Sequence, residues 1–151
     1  MPSLANPLSG DSSVGMGSVN GLAAVRSIAI GSLLGELAQA LAAFATDLGS
    51  AMDRVTVVTL SEFGRRVAEN GSGGVDHGHG NAVLLLGGGI NGGKVHGRWP
   101  GLDSAALVDG DLAGTTDYRD IVAEALTQRC GVTSLADVFP GYKPNKVGLF
   151  A

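Results

Sequence analysis

The sequence predicts an α/β domain, in part: a three-layer sandwich whose small, mostly parallel sheet is flanked by helices. Three observations carry this. Large apolar residues recur at spacings of three and four over 32–48, an apolar β-branched run fills 55–60, and a second short apolar run and a second helical pattern follow across long loops.

Taken in order, the lead-in 1–20 is punctuated by Pro2, Asn6, Pro7, Gly10, Asp11, Gly15 and Gly17 and reads as flexible, leaving 21–151 as the structured part. Leu34, Leu37, Leu41, Phe44 and Leu48 then share one helical face over 32–48, with 22–30 a weaker helical stretch before it. Gly49 is placed to cap that helix. Val55-Thr56-Val57-Val58-Thr59-Leu60 has strand length and little polar alternation, as in a strand covered on both faces. A polar, Gly-rich stretch from Ser61 to Gly80 reads as loop. The run Ala82-Val83-Leu84-Leu85-Leu86 predicts a second strand, stopped by Gly87-Gly88-Gly89. A weak strand is expected at 105–108. Tyr118, Ile121, Val122, Ala125 and Leu126 mark a second amphipathic helix, N-capped by Thr116 or Asp117 and followed by Gly131. One helical turn is expected at 134–138, and Phe139-Pro140-Gly141 opens an irregular tail.

Composition narrows the function classes. Apolar residues make up 44% of the chain, enough for a core, whereas aromatics are only 5%. Such a core has to come from Leu, Val, Ile and Ala, with the 25 glycines supplying tight backbone turns. Net charge is −4 with no Lys/Arg run, which argues against nucleic-acid binding by phosphate neutralisation. Cys130 is the single cysteine, so there is no internal disulfide and no Cys-rich zinc site; at the end of a helix it reads as an inert core thiol. No signal peptide is readable. The stretch 22–48 is interrupted by Arg26, Glu36, Gln39 and Asp47, so no membrane span is expected.

The densest chemistry is Asp76-His77-Gly78-His79-Gly80, one carboxylate and two imidazoles spaced by glycine. These donors suit zinc or manganese, and glycine lets neighbouring side chains converge. In an extended segment His77 and His79 point one way and Asp76 the other, so a single ion needs a kinked loop; the competing reading is a solvated Gly/His turn. Glu62 and Arg65 directly follow the first strand, where sheet ligands gather. Glu62 suits a metal or acid/base role and Arg65 a phosphate or sulfate, unless the two form a structural ion pair. The stretch 87–94 lacks the spacing of a phosphate loop and reads as a turn, and His96 as a surface or packing histidine. No Ser/His/Asp triad or other catalytic nucleophile can be assembled.

The strings V-T-V-V-T-L-S-E-F-G-R-R, N-G-S-G-G-V-D-H-G-H-G-N, L-L-L-G-G-G-I-N-G-G-K-V-H-G, T-D-Y-R-D-I-V-A-E-A-L and V-F-P-G-Y, in this order, resemble the bacterial family called domain of unknown function 1501. The resemblance implies an alkaline-phosphatase-like fold and a place in the alkaline phosphatase/sulfatase superfamily, whose members act on phosphate and sulfate esters at a metal site. It implies Asp76, His77 and His79 as ligands, with Glu62 nearby and Arg65 for the anion. Family members are often exported by the twin-arginine route. They also carry a W-D-T-H-like motif before the long helix, where this chain has Val14-Gly15-Met16-Gly17-Ser18-Val19-Asn20. The resemblance therefore implies the C-terminal part of such a domain, with an incomplete hydrolase site. The alternative is a non-catalytic metal-binding or interaction fragment that needs a partner chain. A sheet so small is expected to leave edges unpaired and to self-associate.

Overall fold

The computed structural model describes residues 20–72 and 74–151, with side chains from residue 31 onward. The lead-in predicted at 1–20 lies almost wholly outside the described residues. Helix α1 is Asn20–Leu48, one continuous element through both stretches read as helical. It ends where Gly49 adopts a positive φ of 49°, and a 3-10 turn, Gly49–Arg54, follows. Among the described residues, no helix is long and apolar enough to cross a membrane.

The β-branched run forms strand β1, Thr56–Val58. The polar stretch after it is not a loop throughout: it folds into a hairpin of β2, Gly64–Glu69, and β3, Val75–Gly78. The second apolar run supplies β4, Leu85–Gly87, and helix α2 is Tyr118–Arg129. Near 105–108 the chain makes a short 3-10 turn, Ser104–Ala106, and a single bridge from Val108 to Asp111 instead of a strand.

The expected mostly parallel sheet is not what forms. The strands make two separate two-stranded sheets, β1 with β4 and β2 with β3, both antiparallel. Thr56 faces Gly87 and Val58 faces Leu85, so β4 returns alongside β1. A parallel neighbour would require a crossover that carries the chain back to the same end of the sheet, usually through a helix. Between β1 and β4 there is only the β2–β3 hairpin, which leaves the chain at the end of β1 where it started. Nor is β1 buried on both faces; its three residues are only half-buried.

The centre of packing is α2. The buried apolar residues among those described are Ile121, Ala123 and Leu149. Asp117 caps the helix by accepting from the Arg119 N–H at 2.9 Å, as the sequence suggested. Gly131 follows at a φ of 67°. Arg129, in the last turn, reaches across to β1: its Nε donates to Thr56 Oγ1 at 3.0 Å and its Nη2 to the Asp53 carbonyl at 2.5 Å. This guanidinium ties α2 to the β1–β4 sheet. Cys130 is exposed, contrary to the core thiol expected, because it sits where α2 ends.

Candidate functional site

The β2–β3 hairpin holds Arg65, Asp76 and His77, with Glu62 just before it and His79 just after. Its path is dictated by glycine, for a steric reason. A Cβ on Gly64 would lie 1.8 Å from the Gly80 carbonyl oxygen, and one on Gly78 would lie 2.5 Å from the Arg65 carbonyl carbon. Gly80 in turn presses on Leu112, where a Cβ would come within 2.3 Å of the carbonyl oxygen. None of these three has a positive φ. The glycines around His77 and His79 thus serve close backbone approach rather than an unusual turn.

Strand alternation then parts the predicted ligands. Asp76 accepts a hydrogen bond from Asn70 Nδ2 at 2.7 Å, while Asn70 Oδ1 accepts from the Gly74 N–H and orders the hairpin tip. His77 is opposite Arg65 in the ladder and stacks on Phe63, ring centroids 3.8 Å apart with 23° between planes. Arg65 lies on the same aromatic, its Cζ 5.2 Å from the ring centroid, and its Nη1 donates to the Val75 carbonyl at 3.4 Å. His79 is past the end of β3 and runs beside Gly114, where a Cβ would meet its Nε2 at 3.3 Å. Glu62 is exposed just before Phe63. Among the described residues, no three His, Cys, Asp or Glu side chains are gathered so as to hold a metal ion. The donor types fit zinc or manganese but their placement in this structure does not, for the pleat sends Asp76 and His77 to opposite faces. What the hairpin does bring together is Arg65, Phe63 and His77, a cation–π and ring-stacked group at the surface. Arg66 belongs to the scaffold: it donates to the Asp109 carbonyl, and its Nε lies 3.3 Å from Asp111 Oδ1.

A second polar cluster, missed at the sequence level, lies on α2. Asp120 and Glu124 are buried, 6% and 8% exposed. Asp120 accepts from the Tyr142 hydroxyl and from the Asn145 N–H, both at 2.7 Å. Glu124 accepts from three successive backbone N–H groups, those of Val147, Gly148 and Leu149, at 2.8, 3.0 and 2.6 Å. Burial pushes the Glu124 carboxyl up, but the backbone donors of 147–150 outweigh it and hold the group below the ordinary carboxylate range. The hydrogen bond to Asp120 leads the causes that raise the Tyr142 hydroxyl to about 12. Asp117 is lowered to about 2, chiefly by its fork-like pairing with Arg119, which itself stacks on Tyr142 at 3.7 Å. The signal was present in the sequence: Asp117, Asp120 and Glu124 follow at three and four residues, an acidic stripe on a helix that must be covered. These carboxylates are spent on the chain's own tail, so the cluster is structural. A groove of about 320 Å³ runs beside it, floored by Ala123, Leu135 and Pro144 and rimmed by Asn145 and Lys146, sharing no residue with the hairpin.

A family model described as "Protein of unknown function (DUF1501)" matches residues 27–131. No curated protein and no solved structure matches the chain.

Proposed function

The chain belongs to the DUF1501 family, and from the burial pattern we propose that it is an interaction unit that docks the apolar face of α1 on another polypeptide. One observation carries this reading. Leu33, Leu34, Leu37 and Phe44 of α1 are 64%, 60%, 42% and 46% exposed, while Leu41 and Leu48 on the same side are half-buried. Covering a wholly exposed side chain of this size contributes on the order of 2 kcal/mol; these four are about half exposed, and their summed gain still favours association. The isolated chain is therefore expected to self-associate through α1. Light scattering over a range of concentrations should show a rising mass for the wild type, and Leu37→Glu/Phe44→Glu should weaken association roughly tenfold or more. A concentration-independent monomer with a sharp two-state denaturant transition would end this reading.

A second reading has one specific observation in its favour, the pairing of Arg65 with His77 across the hairpin. Under it the chain contributes one side of a metal-dependent phosphate- or sulfate-ester hydrolase site of the alkaline phosphatase/sulfatase kind. Arg65 holds the anion, and Asp76, His77, His79 and Glu62 furnish metal donors after a rearrangement of the 76–79 segment. Two-metal chemistry needs donor sets for both ions, and among the described residues no three His, Cys, Asp or Glu side chains are gathered so as to hold even one. Hydrolysis of aryl phosphate and aryl sulfate by this chain is accordingly expected to equal a metal-only control. Robust turnover lost in Asp76→Ala would reverse the ranking of the two readings. Zinc and manganese titrations decide the metal separately: equal heats from the wild type and a His77→Ala/His79→Ala double variant would remove that segment as a ligand.

A further inference from the structure

The loop after Ile90 has a composition and an exposure unlike the rest of the molecule. The chain as a whole carries a net charge of −4, yet no Asp or Glu occurs anywhere in 77–102. Lys94 and Arg98 both lie there, and both are exposed. Between and beyond them stand Val95, Trp99 and Leu102, 94%, 69% and 54% exposed. Trp99 is the single tryptophan of the sequence. Large apolar side chains alternating with cations on an exposed loop are poorly explained by solvation alone.

The base of this loop is fixed while its apolar side chains face outward. His96 Nε2 is 2.9 Å from the Asn91 carbonyl, which closes the first part of the loop on itself. Gly97 runs close to α2's entry, where a Cβ would lie 3.4 Å from Thr116 Oγ1, and Gly101 passes Ala106. Both glycines have a positive φ, 113° and 96°, so these bends are specified by the sequence. A preformed loop loses little conformational freedom on binding.

We propose that loop 92–102 is a peripheral anchor for anionic phospholipid surfaces. Val95, Trp99 and Leu102 enter the headgroup boundary, while Lys94 and Arg98 meet lipid phosphates. Tryptophan prefers that boundary because its ring is apolar and its indole N–H polar, and nearby cations add attraction to anionic lipid. Two cations in a stretch free of Asp and Glu match an anionic lipid surface; a protein partner is the other occupant, and the vesicle test separates the two. Asp103 is the nearest acidic residue along the chain; it follows Leu102 and marks the end of the anchor. With two cations and one aromatic, the attachment is weak and reversible.

Trp99 makes the test direct, because all tryptophan emission comes from this loop. The full chain is mixed with vesicles of phosphatidylcholine alone or of phosphatidylcholine with phosphatidylglycerol. The expected result is a blue shift and co-sedimentation with the anionic vesicles only. Both should fall roughly tenfold or more in Lys94→Gln/Arg98→Gln and decline as salt is raised. Trp99→Ser should lose co-sedimentation while keeping the circular dichroism of the wild type. Three results overturn the proposal: no shift with anionic vesicles, a shift indifferent to the charge variants, or a blue shift that grows with protein concentration without lipid. The last would make the loop a contact between polypeptides.

Discussion

Gly64→Ala should lose at least about 3 kcal/mol of stability, among the largest effects available to a single methyl group. The added Cβ would meet the Gly80 carbonyl oxygen at 1.8 Å and its carbon at 2.5 Å. That obstacle is backbone, so no side-chain rotation relieves it; the start of β2 and the end of the hairpin have to part. Gly64 is itself buried and faces Gly78 in the ladder, which leaves no direction for relaxation. Gly71→Ala is the control: nothing lies within 4 Å of its Cβ position and its φ is ordinary, so its change should stay within about 0.5 kcal/mol. Denaturant melts of the two variants decide the matter, with hydrogen exchange of the hairpin amides as a local readout. Equal midpoints would mean that the hairpin does not pack as described.

Glu124→Ala is the second large effect, about 3 kcal/mol destabilising. Removal of the carboxylate strands the N–H groups of Val147, Gly148 and Leu149, and Leu149 is among the buried apolar residues of the described chain. Glu124→Gln keeps an acceptor but loses the charge and should cost less, about 1–2 kcal/mol. The pH dependence follows from the direction of the shift. Glu124 binds its proton less readily when folded than when unfolded, so its contribution is present above the ordinary carboxylate range. It is lost as pH falls through the lowered folded value. Asp117 acts in the same sense down to about 2, weakened by solvent because its side chain is 32% exposed. Stability of the wild type should therefore decline as pH falls from the ordinary carboxylate value through the lowered folded ones, and Glu124→Gln should flatten part of that decline. Identical acid profiles for the two proteins would remove Glu124 as the origin.

How far the sequence disclosed all this depended on whether the deciding interactions were local. Helices α1 and α2, the Asp117 cap and the glycine that follows each helix were legible, because periodicity and capping act within a few residues. Strands β1 and β4 were legible as apolar runs, but not their direction. Antiparallel pairing of Val57 with Leu86 depends on where the intervening chain leaves and returns. The β2–β3 hairpin was hidden for a related reason: polar, Gly-rich composition reads as loop unless the close approach of Gly64 to Gly80 is known. At the candidate site, the residue types around Asp76–His79 pointed to metal chemistry, and the pleat of β3 disperses them. The stacking of Phe63 on His77 had no sequence signature at all. The buried carboxylates of α2 did have one, an acidic stripe on the helix that forms the core.

The clasp on α2 also makes closure of the core depend on chain that follows the helix. Glu124 leaves the ribosome before the amides it accepts from, which lie 23 to 25 residues later in the chain. Until those amides emerge, the nascent α2 carries two carboxylates on the face that Leu149 will cover. Arrival of 147–149 then converts the same charges into the seal of the core. Like β4 with β1, 147–149 has to fold back onto an element that precedes it, so both closures depend on chain that comes later.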